Sequence, residues 1–302
     1  MIRVGYHPAS NPTVPTIKNT TSRLKELKES MTEKIDIHDL GHVQRTLFLP
    51  LWGRAVESKK PKPMLVDDTA VRIIERVDGD FSSMAQNIDA ITHIGWIMRS
   101  IFCDRTVREF LQRYPEGTIV NIGCGLDTTF ERTDNGKLKW YDLDLPDVIE
   151  LRRKFVKESE RRKFIIASFL EDEWLQKIEV RQNVLFIVAG VFYYFQETDV
   201  KNFMIRLMNR FPGSEILFDV ASPIGVKLAN KKVVESSGLD EESHLVWGLK
   251  NKKEILGWDP RIRLIGTYYF FRTLRIGLRN FLVGLFSDFL GIQYMLHLGL
   301  GS

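Results

Sequence analysis

Two glycines and two carboxylates stand where they could hold a nucleoside. The run Thr118-Ile119-Val120-Asn121-Ile122 leads into Gly123-Cys124-Gly125-Leu126-Asp127-Thr128. Nineteen positions after Gly125, Asp144 closes a second run, Lys139-Trp140-Tyr141-Asp142-Leu143-Asp144, ahead of Leu145-Pro146. Glycine lets backbone approach a ligand closely, and an acid at the end of the next strand binds ribose hydroxyls. A purely structural use of the same residues is also open. Gly123 and Gly125 would then form an ordinary strand-to-helix turn, Asp127 would cap the helix, and Asp142 and Asp144 would be solvated strand-end charges.

The spacing says something about which nucleotide. A dinucleotide fingerprint reads G-x-G-x-x-G, and here Thr128 occupies the third glycine position. S-adenosylmethionine carries adenosine and a sulfonium amino acid but no phosphate to cradle. The pattern therefore favours methyl transfer over an NAD-dependent reductase, which remains the less favoured alternative. No CxxC, HExxH or Ser/His/Asp constellation competes with it, and no metal site is expected.

These residues need a scaffold that brings strand ends to one edge. Strands are expected at Thr118–Ile122, Leu138–Asp142, Phe164–Ala167, Val184–Ala189 and Glu215–Val220, with a last one within Ile292–Leu298. Helical patterning separates them. Pro146 suits a first helical position, and Val200, Phe203, Met204, Leu207, Met208 and Phe211 keep a helical period until Pro212-Gly213. Strands alternating with crossover helices imply an α/β, doubly wound, mostly parallel Rossmann-like sheet. Upstream, Ser22–Glu33, Asp89–Phe102 and Asp104–Tyr114 are helix-prone, and Lys59-Lys60-Pro61-Lys62-Pro63 must be a loop. The division this suggests is an N-terminal arm at 1–30, a helical cap covering the substrate at 31–115, and a cofactor-binding core at 116–302. A helical insertion follows the fifth strand at 223–260.

The bulk composition of the 302 residues agrees: 44% apolar and 27% charged, enough for a sizeable core. A net charge of +4 argues against a dedicated nucleic-acid binder. Cys103 and Cys124 stand alone, and the uncharged run Phe289–Leu300 is too short to span a bilayer. A cytoplasmic chain with a small-molecule partner is expected, and nothing in the pattern speaks to oligomeric state.

Taken in order, further blocks resemble one family. They are Thr46-Leu47-Phe48-Leu49-Pro50-Leu51-Trp52-Gly53-Arg54-Ala55, then Arg99 with Phe102 and Asp104, then the glycine turn and Tyr141–Pro146. Ala167-Ser168-Phe169-Leu170 with Trp174, Gly190-Val191-Phe192-Tyr193-Tyr194-Phe195 and Phe211-Pro212-Gly213-Ser214 follow. The chain resembles the leucine carboxyl methyltransferase-like proteins, particularly polyketide O-methyltransferases of the tetracenomycin type, over about nine-tenths of its length. The resemblance implies S-adenosylmethionine as cofactor and a direct displacement onto a carboxylate or phenol oxygen. It implies Arg99 at the cofactor carboxylate, Gly123, Gly125 and Gly190 at the methionine portion, Asp144 at the ribose and Ser168 and Phe169 at the adenine. Arg54 and Arg45 become candidate contacts for an acidic substrate group. A carboxylate acceptor needs no base; for a phenol, His93 or His244 would be the guess.

One departure qualifies this. Where the resemblance leads one to expect Glu before Gly190, the chain has Ala189. Losing a charged hydrogen bond costs about 1.5–3 kcal/mol, or about one to two decades in affinity. Asp127 is the acid expected to compensate; otherwise binding is weak, and a non-catalytic cofactor binder is the alternative. Near the C-terminus, Arg272, Arg275 and Arg279 lie among apolar residues, with no acid from Tyr268 to Ser287. This suits either contact with a membrane or acidic substrate, or a covering helix with a solvated arginine stripe.

Overall fold

In a computed structural model of the chain, residues 34–36, 42–81, 89–231, 244–272 and 278–301 are described. The core is a seven-stranded sheet. Its strands are β3 (Thr118–Ile122), β4 (Lys139–Asp144), β5 (Arg162–Ile166), β6 (Val184–Val188), β7 (Ser214–Val220), β8 (Ile262–Tyr269) and β9 (Tyr294–Leu300). A two-residue parallel pair, β1 (Ile35–Asp36) with β2 (Val77–Asp78), lies apart from it. The order is β5-β4-β3-β6-β7-β9-β8, with β9 antiparallel to both neighbours. β3 and β6 are parallel, and the order in which strands are added reverses between them, so a crevice opens beyond their carboxyl ends, where open α/β sheets bind ligands.

Period-two alternation gives each face its own core. On one face Val120, Ile122, Phe186, Val188, Ile216 and Phe218 pack against Val200, Phe203, Met204 and Leu207 of α6 (Glu197–Arg210). That helix starts with a capping box between Gln196 and Asp199 and ends at Arg210, ahead of Gly213 at φ +83. On the other face Ile119, Trp140, Leu185, Ile187 and Leu217 meet Met98, Phe102, Val107, Phe110 and Leu111 of α3 (Ala90–Arg113). The two helices expected at 89–102 and 104–114 are thus one, because buried residues continue through Cys103 and Asp104 without a break.

The cap is built from α1 (His42–Ser58) and α2 (Asp68–Glu75), joined through the expected Lys/Pro loop. Its apolar cluster of Phe48, Leu51, Ala55, Ala70 and Ile73 also includes Leu126 of the glycine turn. Leu151, on α5 (Pro146–Arg153), belongs to the same cluster, and Pro146 is at the start of that helix as expected. The cap therefore rests on the turn that follows β3. A short α4 (Thr129–Thr133) continues from it.

The C-terminal part differs from expectation. Ile262–Tyr269 forms β8, hidden in the sequence because its pattern is half exposed and polar at one end. After β7 come α7 (Pro223–Ala229) and α8 (Lys252–Leu256) of the insertion; the helix expected at Ser22–Glu33 lies outside the described residues. On α9 (Leu278–Phe289) the outward side is apolar: Leu282, Val283, Leu285, Phe286 and Phe289 are exposed. Small and polar residues turn inward instead. A side chain at Gly284 would run into the Phe271 ring, and Asp288 accepts from the Phe271 N–H at 2.9 Å. Arg272 is exposed and lies over the Tyr269 ring, whereas Arg275 and the Arg279 side chain fall outside the described residues.

Candidate functional site

The crevice begins with two left-handed glycines after β3, Gly123 at φ +61 and Gly125 at φ +44. Across the reversal of strand order, Gly190 at φ +84 follows β6. A Cβ on Gly123 would lie 2.3 Å from Val191 Cγ2, so the two turns pack backbone against side chain. Four of the turn's donors are spent internally. The N–H groups of Gly123 and Cys124 donate to the Leu143 carbonyl, that of Asp127 to Cys124 and that of Gly125 to Asp144 Oδ2 at 2.8 Å. A phosphate needs such N–H groups free. This turn suits a ligand that brings none.

Asp144, at the end of β4, accepts from Gly125 N with one oxygen and from Leu145 N with the other. Each oxygen keeps a further lone pair, which is the acceptor set a vicinal diol needs. Burial is the main influence on its carboxyl and raises its pKa, against those two N–H groups. Leu145 and Ile166 are exposed beside it, the latter being Asp144's register partner on β5. Ser168 and Phe169 follow on the same edge. Ser168 Oγ accepts from Leu170 N, while the Phe169 ring is buried against Phe192, Phe195 and Phe203.

Beneath the turn, buried arginines hold its carbonyls. Arg152 of α5 donates to Gly125 O at 2.7 Å and Asp127 O at 2.8 Å, and pairs with Asp142 at 3.1 Å. Asp142 is no solvated strand end. It is fully buried and also takes Arg162 Nε, Trp140 Nε1 and Asn121 Nδ2. Arg54 is likewise no surface charge. Within the cap it pairs with Asp67 at 2.9 Å, and beyond it reaches Leu126 O at 3.1 Å. Asp67 in turn accepts from Thr128 and Arg132, which also grips Asp104. Arg54 thus ties cap to turn; Arg45 lies on α1 with its side chain outside the described residues.

Asp127 has partners of its own. Its oxygens take Thr129 N, Thr129 Oγ1 and Asn121 Nδ2, capping α4 from inside. Burial works to raise its pKa, but Arg132 and Arg54 outweigh it and hold the group ionised below the ordinary range. The acid actually at Gly190 is Asp219, near the end of β7. Its Oδ1 accepts from Gly190 N at 2.6 Å, and its Oδ2 from Arg99 Nη1 at 3.2 Å, Tyr193 Oη at 3.1 Å and Gln293 Nε2 at 3.1 Å. Arg99 is therefore beside Gly190, with a side chain 15% exposed. Burial opposes its charge, yet Tyr193 and Asp219 more than restore it. Burial, then Asp219, pushes the Tyr193 phenol well above its usual range, so it stays a donor. Asp219, Tyr193 and Gln293 escaped the sequence reading. One signal was available: a lone acid inside the apolar run Ile216-Leu217-Phe218-Asp219-Val220.

A separate cavity of about 680 Å³ lies between α2, α3 and α4, walled by Asp67, Asp104, Arg108, Glu131 and Arg132. None of Arg99, Gly123, Gly125, Asp144 or Gly190 lines it, so it is not the crevice.

Comparison with known proteins bears on the family and the fold. The family model described as leucine carboxyl methyltransferase matches residues 48–208, from the cap through α6. The tetracenomycin polyketide synthesis O-methyltransferase TcmP of Streptomyces glaucescens is 27% identical over 226 residues, 74% of this chain and 82% of that protein. The S-adenosyl-L-methionine-dependent methyltransferase dpfgK of Gibberella zeae is 27% identical over 238 residues, 72% of this chain and 78% of its own length. The solved structure of a putative methyltransferase from Thermobifida fusca shares the fold with a TM-score of 0.54 at 14% identity, covering 83% of this chain and 94% of that one.

Proposed function

Because the chain belongs to the leucine carboxyl methyltransferase family and is an S-adenosylmethionine-dependent methyltransferase, we propose that it methylates an oxygen of a small molecule, a carboxylate before a phenol. The observation that carries this is the chemistry around Gly190. The groups that meet there are Arg99, Tyr193 and Asp219. Arg99 is a permanent cation, Tyr193 is held protonated, and Asp219 is buried with four donors on it. None is suited to take a proton at neutral pH. A carboxylic acid arrives already ionised, its reference pKa being about 4, and needs only alignment and the exclusion of water.

The bound cofactor supplies an electrophilic sulfonium methyl. In this reading the Arg99 fork holds its carboxylate and Asp144 its ribose hydroxyls. Gly123, Gly125 and Gly190 give room for its methionine portion, and Leu145, Ile166, Ser168 and Phe169 border its adenine. Ala189, one residue before Gly190, contributes only a methyl group. The cap over Leu126 then shields the crevice from water, which is the role we give residues 31–115; the 223–260 insertion completes the 116–302 core. Among the described residues no helix is long and apolar enough to cross a membrane, and we place the protein in the cytoplasm.

A phenol is the second reading, and His93 is its one support. Its Nε2 lies 3.1 Å from the Gly53 carbonyl. A carbonyl only accepts, so Nε2 is the donor there, and in a neutral ring so bonded it is Nδ1 that has a lone pair for base work. Incubating the purified chain with methyl-labelled cofactor and matched panels of carboxylic acids and phenols decides between them. Methyl esters are expected. Label found only in phenol ethers, and lost in His93→Gln, would establish the second reading; no cofactor binding at millimolar ligand would end both.

A further inference from the structure

The acid at Gly190 sits on a different strand from the one expected, and this has a use. Val188 and Phe218 are the last register pair of β6 and β7. One position further on, Ala189 and Asp219 come level. By alternation both follow Ile187 and Leu217, which face α3, and so both turn toward the helix that carries Arg99. The bond from Gly190 N to Asp219 Oδ1 closes the gap between the two strands.

Asp219 is fully buried, and its four donors come from four places: the turn after β6, α3, the short 3-10 segment Phe192–Tyr194, and Gln293 just before β9. No donor is shared with the nucleoside end of the crevice. Arg99 meets Asp219 through Nη1 alone, and that nitrogen also reaches Tyr193 Oη at 3.3 Å. The rest of the guanidinium fork has no hydrogen-bond partner among the described residues. Pinning one edge of a planar fork sets the direction of the other. A Cβ on Gly190 would lie 3.0 Å from Arg99 Nη1, so the glycine leaves the space in which this placement is possible.

We propose that Asp219 is the positioning residue for the amino-acid end of the cofactor, supplying from β7 the negative charge that Ala189 does not supply from β6. It acts through Arg99 and the Gly190 N–H rather than by touching the ligand, since no surface of it is exposed. The site thereby keeps one cation and one anion for a zwitterionic tail, with the anion moved one strand over. This rests on the cofactor reading given above.

The test uses two ligands that share the nucleoside: S-adenosylhomocysteine, with the amino-acid tail, and 5′-methylthioadenosine, without it. Calorimetry on the intact chain and on Asp219→Asn measures both. The expected result is a loss of about tenfold for S-adenosylhomocysteine with the affinity for 5′-methylthioadenosine unchanged. In the double variant Ala189→Glu with Asp219→Asn, the acid returns on the neighbouring strand and most of the loss is recovered. Equal losses for both ligands, or no loss for either, overturn the proposal. Should Asp219→Asn not fold, a crystal structure of the unmutated chain with S-adenosylhomocysteine decides. The ligand carboxylate on the outer edge of Arg99, with Nη1 still on Asp219, supports it; Arg99 turned away from Asp219 overturns it. If the unmutated chain binds neither ligand, the cofactor reading itself fails.

Discussion

The two ends of the crevice are built on opposite plans. On the β3–β4 side, Gly123, Gly125 and Asp144 come from one strand-turn-strand stretch, and Gly125 N bonds Asp144 directly. On the β6–β7 side, Arg99, Gly190, Tyr193, Asp219 and Gln293 are drawn from residues 99 to 293 and meet on one buried carboxylate. The first is a local motif held from below by arginines on its carbonyls. The second exists only once β6, β7 and β9 are side by side and α3 lies across them. In the function proposed above, the local end serves the ribose and the assembled end the amino-acid tail.

The largest effect is expected at the support of the local end. Arg152→Met strips the donors from Gly125 O and Asp127 O and removes one counter-ion of the buried Asp142. Breaking a buried pair by removing one partner costs about 3–5 kcal/mol, read as a drop in the urea midpoint. Because Arg162 still pairs with Asp142, the lower figure is the one to expect. A stability change below about 1 kcal/mol would mean that the turn holds its shape without Arg152, and the contrast between the two ends would weaken.

Next comes the backbone that joins the ends. Gly123→Ala asks for φ +61 from a residue with a Cβ and sets that atom 2.3 Å from Val191 Cγ2. The left-handed conformation alone costs about 1–3 kcal/mol, and the collision adds to it. Adding Val191→Ala removes the collision and leaves the strain, so partial recovery in denaturant melts is expected. Full recovery would show the turn to be freer than its φ implies.

How much of this was legible follows from the same contrast. The glycine turn, Asp144 and the five parallel strands announce themselves within short windows, through apolar runs and turn residues. Arg99 and Gly190 were placed by resemblance. Asp219 was passed over because an acid in a strand says nothing until its partners are known, and they lie 29, 120 and 74 positions away in sequence. A lone charge near a motif gives no sign of the buried partner it takes, so the bonds of Arg54 to Asp67 and of Asp127 to Asn121 and Thr129 have no counterpart in the sequence pattern. β8 is hidden by its mixed face, and the outward apolar side of α9 by apolar residues that suit a buried covering helix equally well.

A smaller effect is expected from Asp144→Ala, which is confined to binding. The loss of about tenfold in cofactor affinity, or about 1.4 kcal/mol, should fall equally on S-adenosylhomocysteine and 5′-methylthioadenosine, since both carry the ribose. That equality is the counterpart of the selective loss expected at Asp219. Unchanged affinity for both would place the ribose elsewhere.

The smallest effect on binding is expected at the other end of Asp219's own strand. Glu215 lies at the start of β7, on the far edge of the sheet, bonded to His297 at 2.8 Å and to both terminal nitrogens of Arg113. Burial works to raise its pKa, but the bonds from His297 and Arg113 prevail and lower it from 4.5 to about 2. A carboxyl depressed by folding lends stability that is fully present above its unfolded value and is lost as pH falls through the folded one. The urea midpoint should therefore fall between pH 4.5 and 2, and Glu215→Gln should flatten that part of the profile. Cofactor affinity at pH 7 should stay within about twofold, as for a distant and independent site. Two acids on one strand would then divide cleanly, Glu215 serving the sheet and Asp219 the crevice. If Glu215→Gln weakened S-adenosylhomocysteine as much as Asp219→Asn does, β7 would be transmitting a general loosening, and the special standing of Asp219 would be gone.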